Sequence, residues 1–449
     1  MDKLVIEGGR PLRGVVPVSG AKNAALPILI ATLLAPGEHV IDNVPNLVDV
    51  SSTLSLLGRI GCPSLVSDDA SGPGGAELPS RRVRLDTSRI AFSEAPYDVV
   101  RKMRASVLVL GPLLARCGEA RVSLPGGCAI GVRPIDQHLK GLEALGCRFE
   151  LSGGYVNGRV EHLKGAEIHL DVPTVTGTEN ILMAAVLADG VSVIHNAARE
   201  PEIVDLVRFL RAMGARIEGE GTGTLRVDGV PALRPARTPH RILPDRIEAG
   251  TYLVAGAITR GDLKVAGVVP ADLAAVTAAL RSTGAQVEEG DDWVRVRAEG
   301  ALRPVSIATA PHPGFPTDMQ AQWMSLMTSV DGDSTVCENI FENRFMHVAE
   351  LHRLGAAIRI DGSCAHVTGG VPLVGAQVMA TDLRASASLV LAGLTGGKQT
   401  EVLRLYHLDR GYDRLVEKLR AVGAAVARVA DDAEVPMGSL LAEAAAAAG

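Results

Sequence analysis

Aromatic side chains are scarce in this sequence: Phe, Trp and Tyr together make up 3% of the 449 residues. The core therefore has to be built from Ala, Val, Leu and Gly, whose small side chains allow helices and strands to approach one another closely. An excess of positive charge is lacking as well, since 45 Lys and Arg stand against 51 Asp and Glu, a net charge of −6. This balance argues against a nucleic-acid or anionic-lipid partner, so any anionic ligand needs a local cluster of cations.

Metal and disulfide motifs are also missing. The six cysteines lie at positions 62, 117, 128, 147, 337 and 364, without CxxC spacing and without paired histidines. This distribution argues against zinc and against a disulfide framework, and it favours a reducing compartment. We expect no metal ion, and we expect Cys62, Cys147, Cys337 and Cys364 to be small core residues.

No segment that would target the chain or span a membrane is evident. The most apolar run, residues 24–35, contains Pro27 and is too short to cross a bilayer. The first residues lack the basic start and the apolar stretch of a signal peptide. We therefore expect a cytoplasmic protein without a membrane partner.

What the sequence does contain is a repeat. Six times, a small-residue apolar helix ends near a glycine, a strand follows, and a second helix leads to Gly-Ala or Gly-Cys, with a period of roughly 65–85 residues. The apolar helices are expected at 24–34, 107–115, 181–188, 251–258, 321–330 and 386–394. The second helices are expected at 50–57, 136–145, 203–213, 271–283, 346–354 and 412–422.

The two kinds of helix differ in polarity, and this difference predicts the layer order. The first helix of each repeat is apolar on all sides, whereas the second is amphipathic. Because a helix that is apolar all round is buried all round, we predict an α/β fold with buried helices and with sheets outside them. The length favours two domains. Symmetry then gives three repeats in residues 21–242, and three more in residues 243–449 together with the N-terminal segment 1–20.

Cationic side chains recur where the helices of the repeat begin. Lys or Arg opens three of the apolar helices and precedes three of the second helices; these residues are Lys22, Arg104, Arg384, Arg133, Arg344 and Arg410. Cations are unfavourable at a helix N-terminus, whose free N–H groups attract anions. Equivalent helices of a repeat point their N-termini the same way, so we expect one surface that holds an anionic ligand. Asp318 also opens an apolar helix, where it could instead be an ordinary capping residue.

A glycine-rich loop at residues 125–136 carries one thiol, Cys128, followed by Arg133, Pro134 and Asp136. Glycine allows the backbone to approach a ligand closely, and a nearby guanidinium favours loss of the thiol proton. The loop could also be a surface turn that holds a cysteine by chance. We favour a reactive thiol, because the rest of the chain is organised around an anion site.

Several short motifs together resemble one known family. They lie at residues 20–23, 103–106, 125–136, 196–202, 315–320, 342–347, 380–385 and 409–412. In this order, and over the chain up to about residue 430, the sequence closely resembles the UDP-N-acetylglucosamine 1-carboxyvinyltransferase family, the enolpyruvyl transferases of early peptidoglycan synthesis. The resemblance implies a two-domain inside-out α/β barrel with three repeats per domain.

The resemblance also implies a reaction: the enolpyruvyl group of phosphoenolpyruvate is transferred to the 3-hydroxyl of UDP-N-acetylglucosamine, and phosphate leaves. No metal or organic cofactor is implied. Cations would hold the phosphate and carboxylate of phosphoenolpyruvate; by position these are Lys22, Arg104, Arg133 and Arg410. Cys128 would protonate the methylene carbon with Lys22 close by, Asp318 would be the base for the sugar hydroxyl, and Asp382 would be a second carboxylate.

The remaining positions implied by the resemblance concern the UDP-sugar and the closed cleft. The UDP-sugar would contact Asn23, Pro134, Asp136, His138, Val175, Ile340 and Phe341, and Arg344 and Arg384 would hold the cleft closed. His138 could instead be a solvated surface histidine, and Asp382 could be only the N-cap of its helix.

Two other functions stay open. The sister transferase that acts on shikimate 3-phosphate shares the barrel, although the thiol of Cys128 argues against it. An inactive paralogue that only binds the UDP-sugar is disfavoured by the joint presence of the proposed catalytic residues. The sequence departs from the family at 174–177, in an expected inserted hairpin loop at 67–81, and in an alanine-rich tail at 440–449, which could be a frayed helix.

Overall fold

The computed structural model describes residues 2–69, 80–101, 103–124 and 135–446. Most of the expected hairpin insertion and nearly all of the loop around Cys128, including Arg133 and Pro134, lie outside the described residues.

The described chain contains 24 strands and 14 α-helices. The strands are β1 (Asp2–Glu7), β2 (Arg13–Pro17), β3 (Glu38–Val44), β4 (Ser64–Asp69), β5 (Ser80–Asp86), β6 (Glu94–Ala95), β7 (Glu119–Ser123), β8 (Arg148–Ser152), β9 (Tyr155–Arg159), β10 (Glu167–His169), β11 (Val191–His195), β12 (Arg216–Glu218), β13 (Thr224–Asp228), β14 (His240–Arg241), β15 (Asp262–Ala266), β16 (Gln286–Glu289), β17 (Trp293–Arg297), β18 (Ile307–Ala308), β19 (Gly332–Cys337), β20 (Ala357–Asp361), β21 (Cys364–Gly369), β22 (Gln377–Met379), β23 (Gln399–Leu403) and β24 (Ala425–Ala430). The helices are α1 (Lys22–Ala31), α2 (Val48–Ile60), α3 (Tyr97–Val100), α4 (Leu110–Cys117), α5 (Asp136–Ala144), α6 (Val175–Ala185), α7 (Pro201–Ala212), α8 (Arg246–Ile258), α9 (Ala274–Ser282), α10 (Gln320–Thr328), α11 (His347–Arg353), α12 (Leu383–Gly393), α13 (Leu415–Ala421) and α14 (Ser439–Ala446).

The strands confirm the sixfold repeat. They form six four-stranded sheets, in the orders β14-β3-β5-β4, β6-β7-β9-β8, β10-β11-β13-β12, β16-β17-β15-β2, β18-β19-β21-β20 and β22-β23-β1-β24. Each sheet has one parallel pair at an edge and two antiparallel pairs. Within the described residues no sheet closes on itself, so "inside-out" refers to the order of the layers.

The apolar helices are buried, as their sequences predict. Residues 24–31 of α1 are all buried, and so is every residue of α8 after Arg246. The amphipathic helix α2 instead buries one stripe, which includes Asp49, Leu56 and Ile60. The structure is therefore an α/β fold with helices inside and sheets outside.

Small residues let the buried helices touch through their backbones. A Cβ added to Gly111 of α4 would lie 2.3 Å from the carbonyl oxygen of Asn180 in α6. The Gly111 N–H donates to Oδ1 of Asn180 at 2.6 Å. A larger side chain at Gly111 would push these helices apart, which explains how a core with few aromatic residues is filled.

Two large hydrophobic clusters divide the chain. One contains buried residues from Ala21 to Ile242, and the other contains Leu4–Val18 together with residues from Ile247 to Val426. The N-terminal strands join the second group, because β1 pairs with β23 and β24 and β2 pairs with β15. We propose that the two clusters are the cores of the domains expected at 21–242 and at 1–20 plus 243–449.

Some expected helices begin or end differently. Residues 104–109 form a 3-10 helix that leads into α4, and residues 270–273 form another before α9. The last second-type helix, α13, begins at Leu415 rather than at 412. In the expected frayed tail, α14 is packed on the sheet: Leu440 is buried against Val5 and Ala425, and the N–H of Leu441 donates to Glu7.

The expectation that Cys337 and Cys364 are plain core residues is wrong, because they form a disulfide. They lie directly opposite each other on the antiparallel strands β19 and β21. Their separation of 27 residues along the chain conceals this register. Cys62 and Cys147 are buried free thiols, as expected. Across the described chain, every helix is too short or too polar to cross a bilayer.

Candidate active site

Six charged side chains meet between the two hydrophobic clusters, and we call them the charged cluster: Lys22, Asp49, Asp318, Arg344, Arg384 and Arg410. Lys22 is the first residue of α1 and Asp49 lies in the first turn of α2, whereas the other four come from the second half of the chain. Five of the six were singled out from the sequence. Helix starts of different repeats do converge on one place, as the repeat predicts.

Asp318 lies between two guanidinium groups. Its Oδ1 accepts from Nη2 of Arg344 at 2.7 Å, and its Oδ2 accepts from Nε of Arg384 at 3.3 Å. These bonds, rather than a helix cap, engage both oxygens. Burial works to raise the pKa of Asp318, but Arg344 and Arg384 outweigh it and hold that pKa well below its usual range. Asp318 is therefore ionised. Its pKa, and with it its strength as a base, can rise only when Arg344 and Arg384 pair with another anion instead.

Asp49 joins the two halves of the chain. It accepts from Nε of Arg410 at 2.8 Å, and Nζ of Lys22 lies 3.6 Å from its Oδ2. Its side chain is only 4% exposed. Sequence reasoning missed Asp49 because an acid in the first turn of an amphipathic helix looks like an ordinary partner of the helix dipole.

Lys22 connects the two ion-pair groups electrostatically. Burial lowers its pKa, Asp49 and Asp318 work against this effect, and Arg384 and Arg410 add to it. A lysine with a lowered pKa gives up its proton more readily than an exposed one. Lys22 is thus suited both to bind an anion and to take part in proton transfer.

Arg384 is the most deeply buried cation of the charged cluster, with its side chain 2% exposed. Its guanidinium carbon lies 5.4 Å from the centre of the Tyr412 ring. Its Nη1 and Nη2 atoms are buried, and the Tyr412 hydroxyl is a hydrogen-bonding neighbour of this guanidinium. One hydroxyl can accept from only part of the four N–H groups on Nη1 and Nη2, so this buried guanidinium favours an anionic ligand.

Glu338, which sequence reasoning also missed, organises the segment beside Asp318. It is 3% exposed and accepts from the hydroxyl of Thr317 and from the backbone N–H groups of Ile340 and Phe341. Arg344 donates to the same Thr317 hydroxyl at 2.7 Å. The predicted positions Ile340 and Phe341 are thereby tied to the residue that precedes Asp318.

Asp382 is observed as the N-cap of α12. Its Oδ1 accepts from the backbone N–H groups of Arg384 at 2.8 Å and of Ala385 at 2.9 Å. The capping alternative is therefore confirmed as a contact. Asp382 also contributes to the charge around the buried His347, whose pKa is lowered to about 4, mainly by burial.

The predicted residue His138 lies in a second group in the first half of the chain, and we call this group the neutral network: His138, Thr176, Asn180 and Gly111. Nε2 of His138 lies 3.2 Å from Oγ1 of Thr176, and its Nδ1 lies 3.0 Å from Nδ2 of Asn180. His138 is 3% exposed, so the surface alternative is wrong. Burial, with a smaller contribution from Arg104, lowers its pKa to about 4. Both ring nitrogens are engaged by the protein, which makes His138 a residue that fixes α5 against α6.

For the other predicted positions, we give the place in the fold rather than specific side-chain contacts. Val175 is the first residue of α6, next to Thr176, and Asp136 is the first residue of α5. Asn23 follows Lys22 in α1 and is half-buried. Cys128, Arg133 and Pro134 lie outside the described residues.

A cavity of about 650 Å³ lies on the other side of α2, and Lys22, Asp318 and Arg384 are not among its lining residues. Ser51, Ser55 and Arg59 line it from α2, and Asp409 and Arg428 line it from the second half of the chain. It is therefore distinct from the charged cluster, although α2 borders both.

Comparisons with known proteins show the family to which the chain belongs. The sequence model of the EPSP synthase (3-phosphoshikimate 1-carboxyvinyltransferase) family matches residues 6–419. The structure is similar to that of the enolpyruvyl transferase NikO from Streptomyces tendae, with a TM-score of 0.83 and 27% identity over 95% of this chain and 99% of that one. EPSP synthase from Acinetobacter baumannii has the same fold, with a TM-score of 0.71 at 17% identity over 96% of this chain and 100% of that one. The fold is that of an enolpyruvyl transferase.

Curated relatives narrow the class further. Proteins called UDP-N-acetylglucosamine 1-carboxyvinyltransferase are 57% identical in Anaeromyxobacter dehalogenans, 56% in Nitratidesulfovibrio vulgaris and 52% in Halorhodospira halophila. Each match covers 96% of this chain and 100% of the relative. The chain belongs to the UDP-N-acetylglucosamine 1-carboxyvinyltransferase family, and it is an enzyme.

Proposed function

We propose that this enzyme transfers the enolpyruvyl group of phosphoenolpyruvate to the 3-hydroxyl of UDP-N-acetylglucosamine and releases phosphate. This is the first committed step of peptidoglycan synthesis, and we place the enzyme in the cytoplasm, where it serves cell shape and division. The observation that carries the proposal is the charged cluster, in which four cationic side chains surround two carboxylates. Such a site suits a small ligand with a phosphate and a carboxylate.

The reaction is an addition followed by an elimination. A proton adds to C3 of phosphoenolpyruvate while the sugar oxygen bonds to C2, which gives a tetrahedral intermediate. The bond from C2 to the phosphate oxygen then breaks, phosphate leaves with the bonding electrons, and C3 loses a proton to restore the double bond. Cations next to the phosphate and carboxylate stabilise the charge that develops in both steps.

The residues have separate tasks in this proposal. Lys22, Arg104, Arg133 and Arg410 bind phosphoenolpyruvate, and Cys128 protonates C3 with Lys22 close by. Asp318 accepts the proton of the sugar hydroxyl. Its pKa is held low by Arg344 and Arg384, so an anionic substrate that draws these cations away would raise the proton affinity of Asp318 at the moment when a base is needed.

The test is an acceptor comparison with purified enzyme and phosphoenolpyruvate. We expect phosphate release, and a product heavier by one enolpyruvyl group, with UDP-N-acetylglucosamine and not with shikimate 3-phosphate. Release with shikimate 3-phosphate alone would support the sister reaction, which is the one in the description of the matching family model. Release with neither acceptor would support a binding protein without turnover.

The thiol has its own test. We expect the epoxide inhibitor fosfomycin to add covalently to Cys128, which peptide mass mapping would detect. Cys128→Asp should keep turnover and escape the inhibitor, because a carboxylic acid can still donate a proton. Complete loss of turnover in Cys128→Asp, with the fold intact, would contradict the proton-donor role.

A further inference from the structure

Three metal-binding side chains share the outer face of one sheet, away from the charged cluster. Glu167 and His169 are two residues apart on β10, and alternate residues of a strand point to the same face. His195 on the parallel strand β11 lies in register with His169. The intervening Ile168 and Ile194 are buried on the opposite face, so the sheet presents one carboxylate and two imidazoles side by side.

The donor atoms of these side chains are already close to metal-binding distances. Nε2 of His195 lies 3.0 Å from Oε1 of Glu167, and Nε2 of His169 lies 3.6 Å from the same oxygen. The ligand atoms of the three residues all lie within 4.8 Å of one another. In a tetrahedral zinc site with bonds of about 2.0–2.1 Å, neighbouring donors are about 3.4 Å apart. The two measured distances lie on either side of that value.

We propose that Glu167, His169 and His195 form a binding site for a divalent transition-metal ion of the zinc class. Two imidazoles and one carboxylate suit Zn²⁺, Ni²⁺ or Cu²⁺ better than Mg²⁺ or Ca²⁺, which prefer oxygen ligands alone. All three ligands come from one face, so the remaining coordination positions face solvent and can hold water.

The site would brace two strand ends that lead toward the neutral network. β10 ends at His169 and is followed by Leu170, whose carbonyl oxygen accepts from Nδ2 of Asn196 at 3.0 Å. Asn196 directly follows His195 at the end of β11. The segment after Leu170 runs to Thr174, the N-cap of α6. A metal ion that joins His169 to His195 would therefore fix the two strands where this segment leaves the sheet.

The observed contacts of His169 and His195 do not by themselves require a metal ion. Their rings are stacked with centroids 4.4 Å apart and an interplanar angle of 8°, and Glu167 can accept a hydrogen bond from either ring. On the neighbouring strand β13, Thr224 lies in register with His195, and Arg226 is paired with Asp228 at 2.9 Å. The experiment must therefore separate metal binding from a plain ion pair.

The experiment compares zinc binding by untagged, chelator-treated protein with that of the double variant His169→Ala/His195→Ala. Zinc chloride is titrated in competition with a chromophoric chelator, and thermal unfolding is recorded with and without zinc. We expect the wild type to bind one more zinc ion per chain than the double variant, and we expect zinc to raise its unfolding temperature more. Free thiols are common to both proteins, so the difference in stoichiometry isolates the proposed site.

Two further variants make the result specific. Glu167→Gln keeps both imidazoles and should weaken zinc binding by about tenfold or more. His162→Ala removes an exposed histidine from the loop before β10 and should change nothing. Equal stoichiometry and equal thermal shifts in the wild type and the double variant would overturn the proposal. If the double variant does not fold, the affinity of Glu167→Gln for zinc decides, and wild-type affinity in that variant would overturn the proposal.

Discussion

The charged cluster and the neutral network differ in how their buried polar groups are paired. In the charged cluster, Asp318 and Asp49 are each shared by two cations, and Arg384 is buried with the Tyr412 hydroxyl beside it. In the neutral network, both ring nitrogens of His138 are hydrogen-bonded, and its pKa of about 4 keeps the ring uncharged. We propose that the first region exchanges its ion pairs for contacts with a ligand, whereas the second keeps its hydrogen bonds. Buried ion pairs and buried neutral networks therefore need different tests.

The largest effect should come from Asp318. Asp318→Asn removes the proposed base and should lower kcat by about 100-fold or more. Steady-state phosphate release with both substrates measures it, and circular dichroism checks the fold. Asp291→Asn, at an exposed turn residue, is the matched control and should have wild-type kcat. Nearly normal turnover in Asp318→Asn would contradict the role of Asp318 as the base.

Substitution of Asp49 tests whether the ion pairs of the charged cluster stabilise the contact between the two halves of the chain. Asp49→Asn leaves Lys22 and Arg410 without their shared carboxylate. Since the Lys22 side chain is only 12% exposed but that of Arg410 is 33% exposed, we expect a loss of about 2 kcal/mol in the free energy of unfolding by urea.

The control for Asp49 is Asp98→Asn, which breaks an exposed pair with Arg59 and should cost less than about 1 kcal/mol. Equal effects of the two substitutions would mean that burial of the Asp49 pairs contributes nothing to stability.

The neutral network predicts a pH dependence with a defined sign. Because the pKa of His138 is lowered in the folded state to about 4, the folded state favours the neutral ring. This contribution to stability is complete above the unfolded pKa of about 6.5 and is lost as the pH falls toward 4. The buried His347 acts in the same direction.

We therefore expect His138→Asn to reduce the loss of stability between pH 7 and pH 5 by about 2 kcal/mol. Urea unfolding at the two pH values measures it, and His162→Asn is the exposed control. An unchanged pH dependence in His138→Asn would show that the ring can be protonated without disturbing α5 and α6.

Asp382 gives the smallest expected effect and distinguishes its two roles. Asp382→Ala removes the cap of α12 and should cost about 1 kcal/mol, whereas Asp382→Asn keeps a good cap and should be nearly as stable as the wild type. Unfolding and kcat are measured on both. A large loss of kcat in Asp382→Asn at normal stability would establish a chemical role beyond capping.

The fold could be predicted because its signal is local and repeated. Apolar helices such as α8 differ from amphipathic ones such as α2 within single turns of sequence, and the repeat supplies the pattern six times. The cations of the charged cluster were found for a similar reason, since Lys22 and Arg384 are unfavourable at helix starts unless something compensates them.

The residues that were missed depend on contacts between distant segments. Asp49 and Glu338 have ordinary local sequences, and only the tertiary structure shows which groups they bind. The Cys337–Cys364 disulfide depends on a strand register that spacing does not reveal. The burial of His138 follows from the close approach of α4, α5 and α6, for which the sequence signal was only the glycine content.

The position of β1 and β2 has a consequence for synthesis on the ribosome. Within the part of the chain that the structure describes, these first strands pair with β15, β23 and β24, so they are synthesised long before their partners. We propose that residues 21–242, which contain one of the two hydrophobic clusters, fold while translation continues. On this proposal the N-terminal strands are made first, but they become stable only after the second half of the chain has been made. The order of synthesis of the parts thus differs from the order in which they fold.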